Sequence, residues 1–127
     1  MNLTQPQIDF INQVEFGILA TTSGAGLPRA IFAAPMDVFP DRIVISDCKM
    51  RQTRDNILEN PNVQLLFFDE PDKDRCLRVD GVAQYNADDA AIAEMQAREA
   101  AAEYSARSKG IIEIAITNVQ DVQDLVN

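Results

Sequence analysis

The sequence contains no histidine, and only two of its 127 residues are cysteine. Without histidine there is no Ser-His or Cys-His nucleophile, most transition-metal sites are excluded, and the commonest haem ligand is missing. Cys48 and Cys76 stand far apart and match no metal-ligand spacing. Basic residues are also scarce, 11 against 20 acids, which gives a net charge of −9. Nucleic acids and anionic membrane surfaces are bound by basic faces, so neither is expected as a partner. No apolar run approaches the ~20 residues that span a bilayer. The N-terminal stretch "MNLTQPQIDFINQVEF" has neither a basic leader nor a continuous apolar core, so a cytoplasmic protein is expected. With so few reactive side chains, any redox or group-transfer chemistry falls to a bound cofactor.

What is present suffices for one compact domain over residues 1–127, with 46% hydrophobic residues. Thr4 and Gln7 form a capping-box pattern with Pro6 in the first turn. Ile8, Ile11 and Val14 then recur at helical spacing, and Gly17 is the expected stop. "FGILATTS" reads as a strand, and "GAG" at 24–26 as a turn whose two glycines are free to take positive φ. "PRAIFAAPMDVF" continues as a second strand open to a break at Pro35, "FPDR" turns, and "RIVISD" is a third strand.

"CKMRQTRDNILENP" predicts a helix of roughly ten residues, with Met50, Ile57 and Leu58 inward and Arg51, Arg54 and Asp55 outward. "NVQLLFFD" is nearly continuous in apolar residues and predicts an interior strand. "EPDKDR" follows as a charged hairpin tip. "CLRVDGVAQYN" alternates, with Leu77, Val79, Gly81 and Ala83 on one face and Arg78, Asp80 and Gln84 on the other. Gly81 marks a bulge or a close approach. "ADDAAIAEMQAREAAAEY" is a helix with acids at its start and Arg107 and Lys109 beyond its end, as the helix dipole favours. "GIIEIAIT" places Ile112, Ile114 and Ile116 on one face, and "NVQDVQDLVN" is a polar tail able to add a turn of helix. Short turns between consecutive strands imply antiparallel pairing. About six strands with helices at the ends make an α+β protein, either a sandwich or a small closed barrel.

Lys49, Arg51 and Arg54 cluster at the start of the second helix. Acids suit that end, whereas here bases oppose the dipole, with the Thr53 hydroxyl and the Gln52 amide beside them. Two readings stay open: a solvated helix face, or the seat of an anion whose charge removes the mismatch. Arg78 and Asp80 read as a cross-strand ion pair or as solvated charges, with a subunit interface as the alternative. Cys48 reads as a small apolar residue unless Lys49 and Arg51 lower its pKa against Asp47.

In order and spacing, "GILATTSGAGLPRA", "DRIVISD", "RQTRDNILENPNVQLLF", "LRVDGVAQ" and "GIIEIAIT" resemble the FMN-binding split-barrel family, the pyridoxamine-5'-phosphate-oxidase-like proteins. The length is similar to that of the small single-domain FMN-binding members. The resemblance implies a mostly β (α+β) fold, a six-stranded antiparallel split β-barrel with flanking helices. It also implies a homodimer with the flavin in the groove between subunits. The FMN phosphate would be held by Lys49, Arg51, Gln52 and Thr53, with Met50 against the ribityl chain. The ring would lie along Ala30, Ile31, Phe32, Ala33 and Ala34 and against Ser46, Asp47 and Cys48, mostly through backbone groups.

Two departures bear on function. Larger members carry Arg and Lys on the second strand, where "AIFAA" offers only apolar contact and backbone. The C-terminal extension that shapes the vitamin site of true pyridoxamine phosphate oxidases is missing, so that activity is not expected. The resemblance then implies a small FMN-dependent oxidoreductase or electron carrier, with unidentified electron donor and acceptor and no assigned catalytic residue. A deazaflavin is a variant ligand. The alternatives are a family member without flavin acting as a dimeric ligand-binding or interaction protein, and an unrelated α+β domain with a merely charged helix.

Overall fold

The computed structural model describes residues 1–69 and 75–121. The chain runs α1 (Gln5–Gln13), β1 (Gly17–Thr22), β2 (Pro28–Ala33), β3 (Pro35–Val38), β4 (Arg42–Asp47), α2 (Gln52–Glu59), β5 (Asn62–Phe68), β6 (Cys76–Asn86), α3 (Asp89–Ala101) and β7 (Gly110–Asp121). The strands form one sheet in the order β2-β1-β5-β6-β7-β4-β3, antiparallel at every pairing.

That order explains the shape. β2 and β3 lie at opposite edges of the sheet, yet only Ala34 separates them in the chain. Residues flanking a single residue can be no more than ~7 Å apart. The sheet therefore curls until its two edges meet at Ala34, and a half-barrel results. Pro35, which has no N–H to donate, marks the corner and divides the expected second strand in two. The described strands thus number seven where six were expected.

The barrel interior is filled by alternate residues of its strands, among them Leu19, Ile43, Ile45, Leu65, Phe67, Val79, Ile112 and Ile114. Ile8 and Ile11 of α1 and Ile57 of α2 join the same cluster. α1 starts with the capping box read from the sequence, Thr4 and Gln7 bonding each other's backbone N–H. It ends at Gln13, before Gly17. Gly17 instead opens β1, where a Cβ would lie 2.7 Å from both the Leu66 carbonyl and the Phe67 ring. In the 24–26 turn only Gly26 takes a positive φ, 86°.

Other expectations shift for physical reasons. α2 begins at Gln52 and turns Thr53, Asn56 and Ile57 inward, leaving Leu58 65% exposed. Buried Asn56 is satisfied, because its amide donates to Thr21 Oγ1 at 3.1 Å and its carbonyl accepts from Gln52 at 2.8 Å. The β6–β7 register shifts between Asp80 and Gly81, and a Cβ on Gly81 would meet the Ile114 side chain and the Ala115 carbonyl. Among the described residues neither Arg78 nor Asp80 forms a cross-strand ion pair; Arg78 donates to Gln120 on β7 and Asp80 accepts from Gln64 on β5. Residues 118–121 prolong β7 instead of starting a tail. The expected hairpin tip, apart from Arg75, and the end of the tail lie outside the described residues. Among the described residues no helix is long and apolar enough to cross a membrane.

Candidate functional site

A groove of about 820 Å³ opens between β2, the end of β4, the start of α2 and the end of α3. β2 contributes Arg29, Ile31, Phe32 and Ala33, followed by Ala34 and Met36. β4 contributes Ile45 and Ser46, and the next turn Cys48, Lys49, Met50 and Arg51. Gln52 and Thr53 of α2, Glu99 of α3, and Tyr104 and Ala106 beyond it complete the lining.

Two of the expected residues do not line it. Ala30 is exposed and does not line the groove. Asp47 is fully buried and takes part in building the turn. Its Oδ1 accepts the Met50 N–H at 2.8 Å, and its Oδ2 accepts from Tyr85 at 2.5 Å and Lys109 at 3.0 Å. Lys109 also bonds the Met50 carbonyl. Those contacts hold residues 48–51 where their side chains reach the groove.

The charge distribution in the groove is uneven. Arg29, Lys49 and Arg51 line it, and none of their side chains has an acidic or hydrogen-bonding partner among the described residues. Thr53 is only 3% exposed, yet its hydroxyl bonds no described residue and faces the groove. Arg54, the third base of the sequence cluster, is outside the lining and pairs with Asp55 at 3.3 Å. Three unpaired cations and a free hydroxyl that opens into the groove, beside the N-terminal N–H groups of α2, form a donor set suited to a phosphate dianion.

At the β4 end the lining is of another kind. Glu99 is 2% exposed, and its Oε2 accepts from Ser46 Oγ at 3.0 Å and Cys48 Sγ at 3.3 Å. Its Oε1 accepts the Ser108 N–H at 2.8 Å. Burial pushes the Cys48 pKa up; the Ser46 hydrogen bond lowers it, and the hydrogen bond and charge of Glu99, with the charge of Asp47, raise it further. Cys48 is therefore a protonated thiol, and Lys49 and Arg51 do not convert it to a thiolate.

The sequence reading missed Arg29, Met36, Ile45, Glu99, Tyr104 and Ala106. Arg29 was within reach, since counting back by two from Ala33 and Ile31 puts it on the same face. Glu99 lies four residues after buried Met95, so helical period places it on the packed side despite its charge. Tyr104 follows the helix in a segment without periodicity, and no pattern marked it.

The family model for pyridoxamine 5'-phosphate oxidase matches residues 3–123. The chain belongs to that family. Among curated proteins none matches it. The split-barrel fold of the pyridoxamine 5'-phosphate oxidase family recurs in solved structures. HupZ of Group A Streptococcus has a TM-score of 0.83 at 20% identity over 95% of this chain and 94% of its own. A structure named F420 reductase gives 0.74 at 18% identity over 93% and 98%. An FMN-binding protein from Syntrophomonas wolfei subsp. wolfei gives 0.75 at 15% identity over 91% and 82%. At such identities the likeness speaks for the fold of the pyridoxamine 5'-phosphate oxidase family alone.

Proposed function

We propose that this protein binds FMN and serves as a small oxidoreductase or electron carrier. The observation that carries the reading is the convergence of Arg29, Lys49, Arg51 and the free Thr53 hydroxyl on one groove in a chain of net charge −9. Arg29 supplies from the start of β2 the cation that "AIFAA" lacks. The FMN-binding and F420-reductase names among the structural neighbours support a flavin-type ligand.

When bound, FMN supplies the hydride or electron transfer. The protein's residues bind and orient it. Lys49 and Arg51 neutralise the phosphate, and the N–H groups at the start of α2 with the Thr53 hydroxyl fix its position. Ile31, Ala33 and Met50 offer apolar surface, and the small residues Ala33 and Ala34 admit a flat ring close to the backbone. Phe32 is 72% exposed and meets the Phe16 ring edge-on at 5.0 Å beside the groove. A second copy of the chain covering that apolar pair is the dimer we propose, and it would enclose the open side of the site.

The test is a titration of flavin-stripped protein with FMN, followed by quenching of flavin fluorescence, on wild type and on Arg51→Ala/Thr53→Ala. Saturable binding at micromolar FMN or below is expected, with about a hundredfold loss in the double variant. No binding at micromolar FMN by the wild type would overturn the flavoprotein reading and leave a split barrel for another ligand or a protein partner.

A further inference from the structure

Glu99 is the only acid among the described residues that line the groove, and it faces no cation there. Burying a carboxylate is costly unless it is paired or richly hydrogen-bonded. The neighbouring base on α3, Arg98, is turned away and held by both oxygens of Asp37 at 2.7 and 2.8 Å. Glu99 is stabilised by three donors instead: the Ser46 hydroxyl, the Cys48 thiol and the Ser108 N–H. α3 is otherwise rich in alanine, and Met95 is the only other residue it buries. An alanine or leucine would pack at position 99 without that desolvation cost.

We infer that Glu99 is a positioning residue that sets the polarity of the groove at its β4 end. It draws the hydroxyl hydrogen of Ser46 and the thiol hydrogen of Cys48 to one oxygen. The Ser46 and Cys48 side chains therefore turn lone pairs, and not their own hydrogens, toward the groove, with the negative charge of Glu99 behind them. The inference rests on the flavin reading above. Such a wall accepts an N–H from a flavin ring and opposes negative charge on it. Reduction by two electrons with two protons leaves the ring neutral, whereas two electrons with one proton leave it anionic. Glu99 favours the neutral outcome and makes the bound ring harder to reduce.

The experiment is a dithionite titration of FMN-loaded protein against a reference dye, reading midpoint potential and the spectrum of the reduced form. Glu99→Gln keeps the shape and removes the charge. Its potential is expected to rise, with the ratio of affinities for reduced and oxidised FMN changing about tenfold, or ~30 mV for a two-electron couple. Ser46→Ala leaves the carboxylate but strips it of a donor, and the potential is expected to move the other way. The wild type, which requires no variant to fold, is expected to give the spectrum of the neutral reduced ring. An anionic spectrum in the wild type, or an unchanged or lowered potential in Glu99→Gln, overturns this inference while FMN binding stands. Failure of the wild type to bind FMN overturns the flavin reading, and this inference with it.

Discussion

Tyr85 on β6 donates its phenol hydrogen to Asp47 at the end of β4, 2.5 Å away, across the intervening strand β7. The crossing is possible because the residue beneath it on β7 is Gly110, the backbone partner of Asp47. A Cβ at that position would run into the phenol oxygen. Gly110→Ala is therefore expected to displace Tyr85 and free one oxygen of Asp47, at a cost of about 1–3 kcal/mol in urea denaturation. Because Asp47 also holds the Met50 N–H, FMN affinity should fall in the same variant.

The Tyr85 hydroxyl is also an alkaline switch for stability. Burial first, then the hydrogen bond to Asp47, raise its pKa well above the ordinary 10.0. The folded state keeps the proton where the unfolded chain releases it, so this contribution is complete below pH 10 and declines as pH rises above it. Tyr85→Phe should be less stable than wild type at neutral pH, and its stability should fall less steeply above pH 10. Denaturation midpoints compared across that range would check both.

Arg29→Ala tests the cation missed in the sequence reading. FMN affinity is expected to fall about tenfold or more, in line with losing a charge-assisted contact. Riboflavin, which lacks the phosphate, should bind wild type and variant alike. The FMN difference should also shrink as salt is raised.

Cys48 should be a slow thiol. With its pKa raised by burial and by Glu99, its thiolate fraction at pH 8 lies below that of a free cysteine. Alkylation by iodoacetamide, located by peptide mapping, should be about tenfold slower than for an unfolded control. A rate at or above the control would contradict the hydrogen-bonded arrangement with Glu99.

Phe32→Glu places a charge in the exposed aromatic pair. If a second copy of the chain covers Phe16 and Phe32, sedimentation should show the variant as a monomer while wild type is a dimer. FMN binding should weaken with it, since the open side of the groove loses its cover.

Most of the fold could be read from the chain because its signals are local. The Thr4–Gln7 cap, the alternation of Leu77, Val79, Gly81 and Ala83, and the inward isoleucines of β7 depend only on residues within a few positions of one another. Errors arose where distant groups compete. Leu58 is exposed because Asn56 finds Thr21 and Gln52 as partners and takes the inward place beside Ile57. Gly17 opens a strand because the Phe67 ring occupies the space a side chain would need.

The candidate site divides along the same line. Lys49 and Arg51 were legible as groove-lining candidates because their charge opposes the helix dipole beside them, with the Thr53 hydroxyl next in the chain, and that contradiction is local. Arg54 carries the same charge and belongs elsewhere, since Asp55 beside it takes it up. Arg29, Glu99 and the buried position of Asp47 were decided only when β2, α3, β6 and β7 came together around β4. A charge has a function only relative to the charges facing it. Sequence alone determines which charges a chain carries, whereas curling the sheet until its edges meet at Ala34 decides which of them face one another.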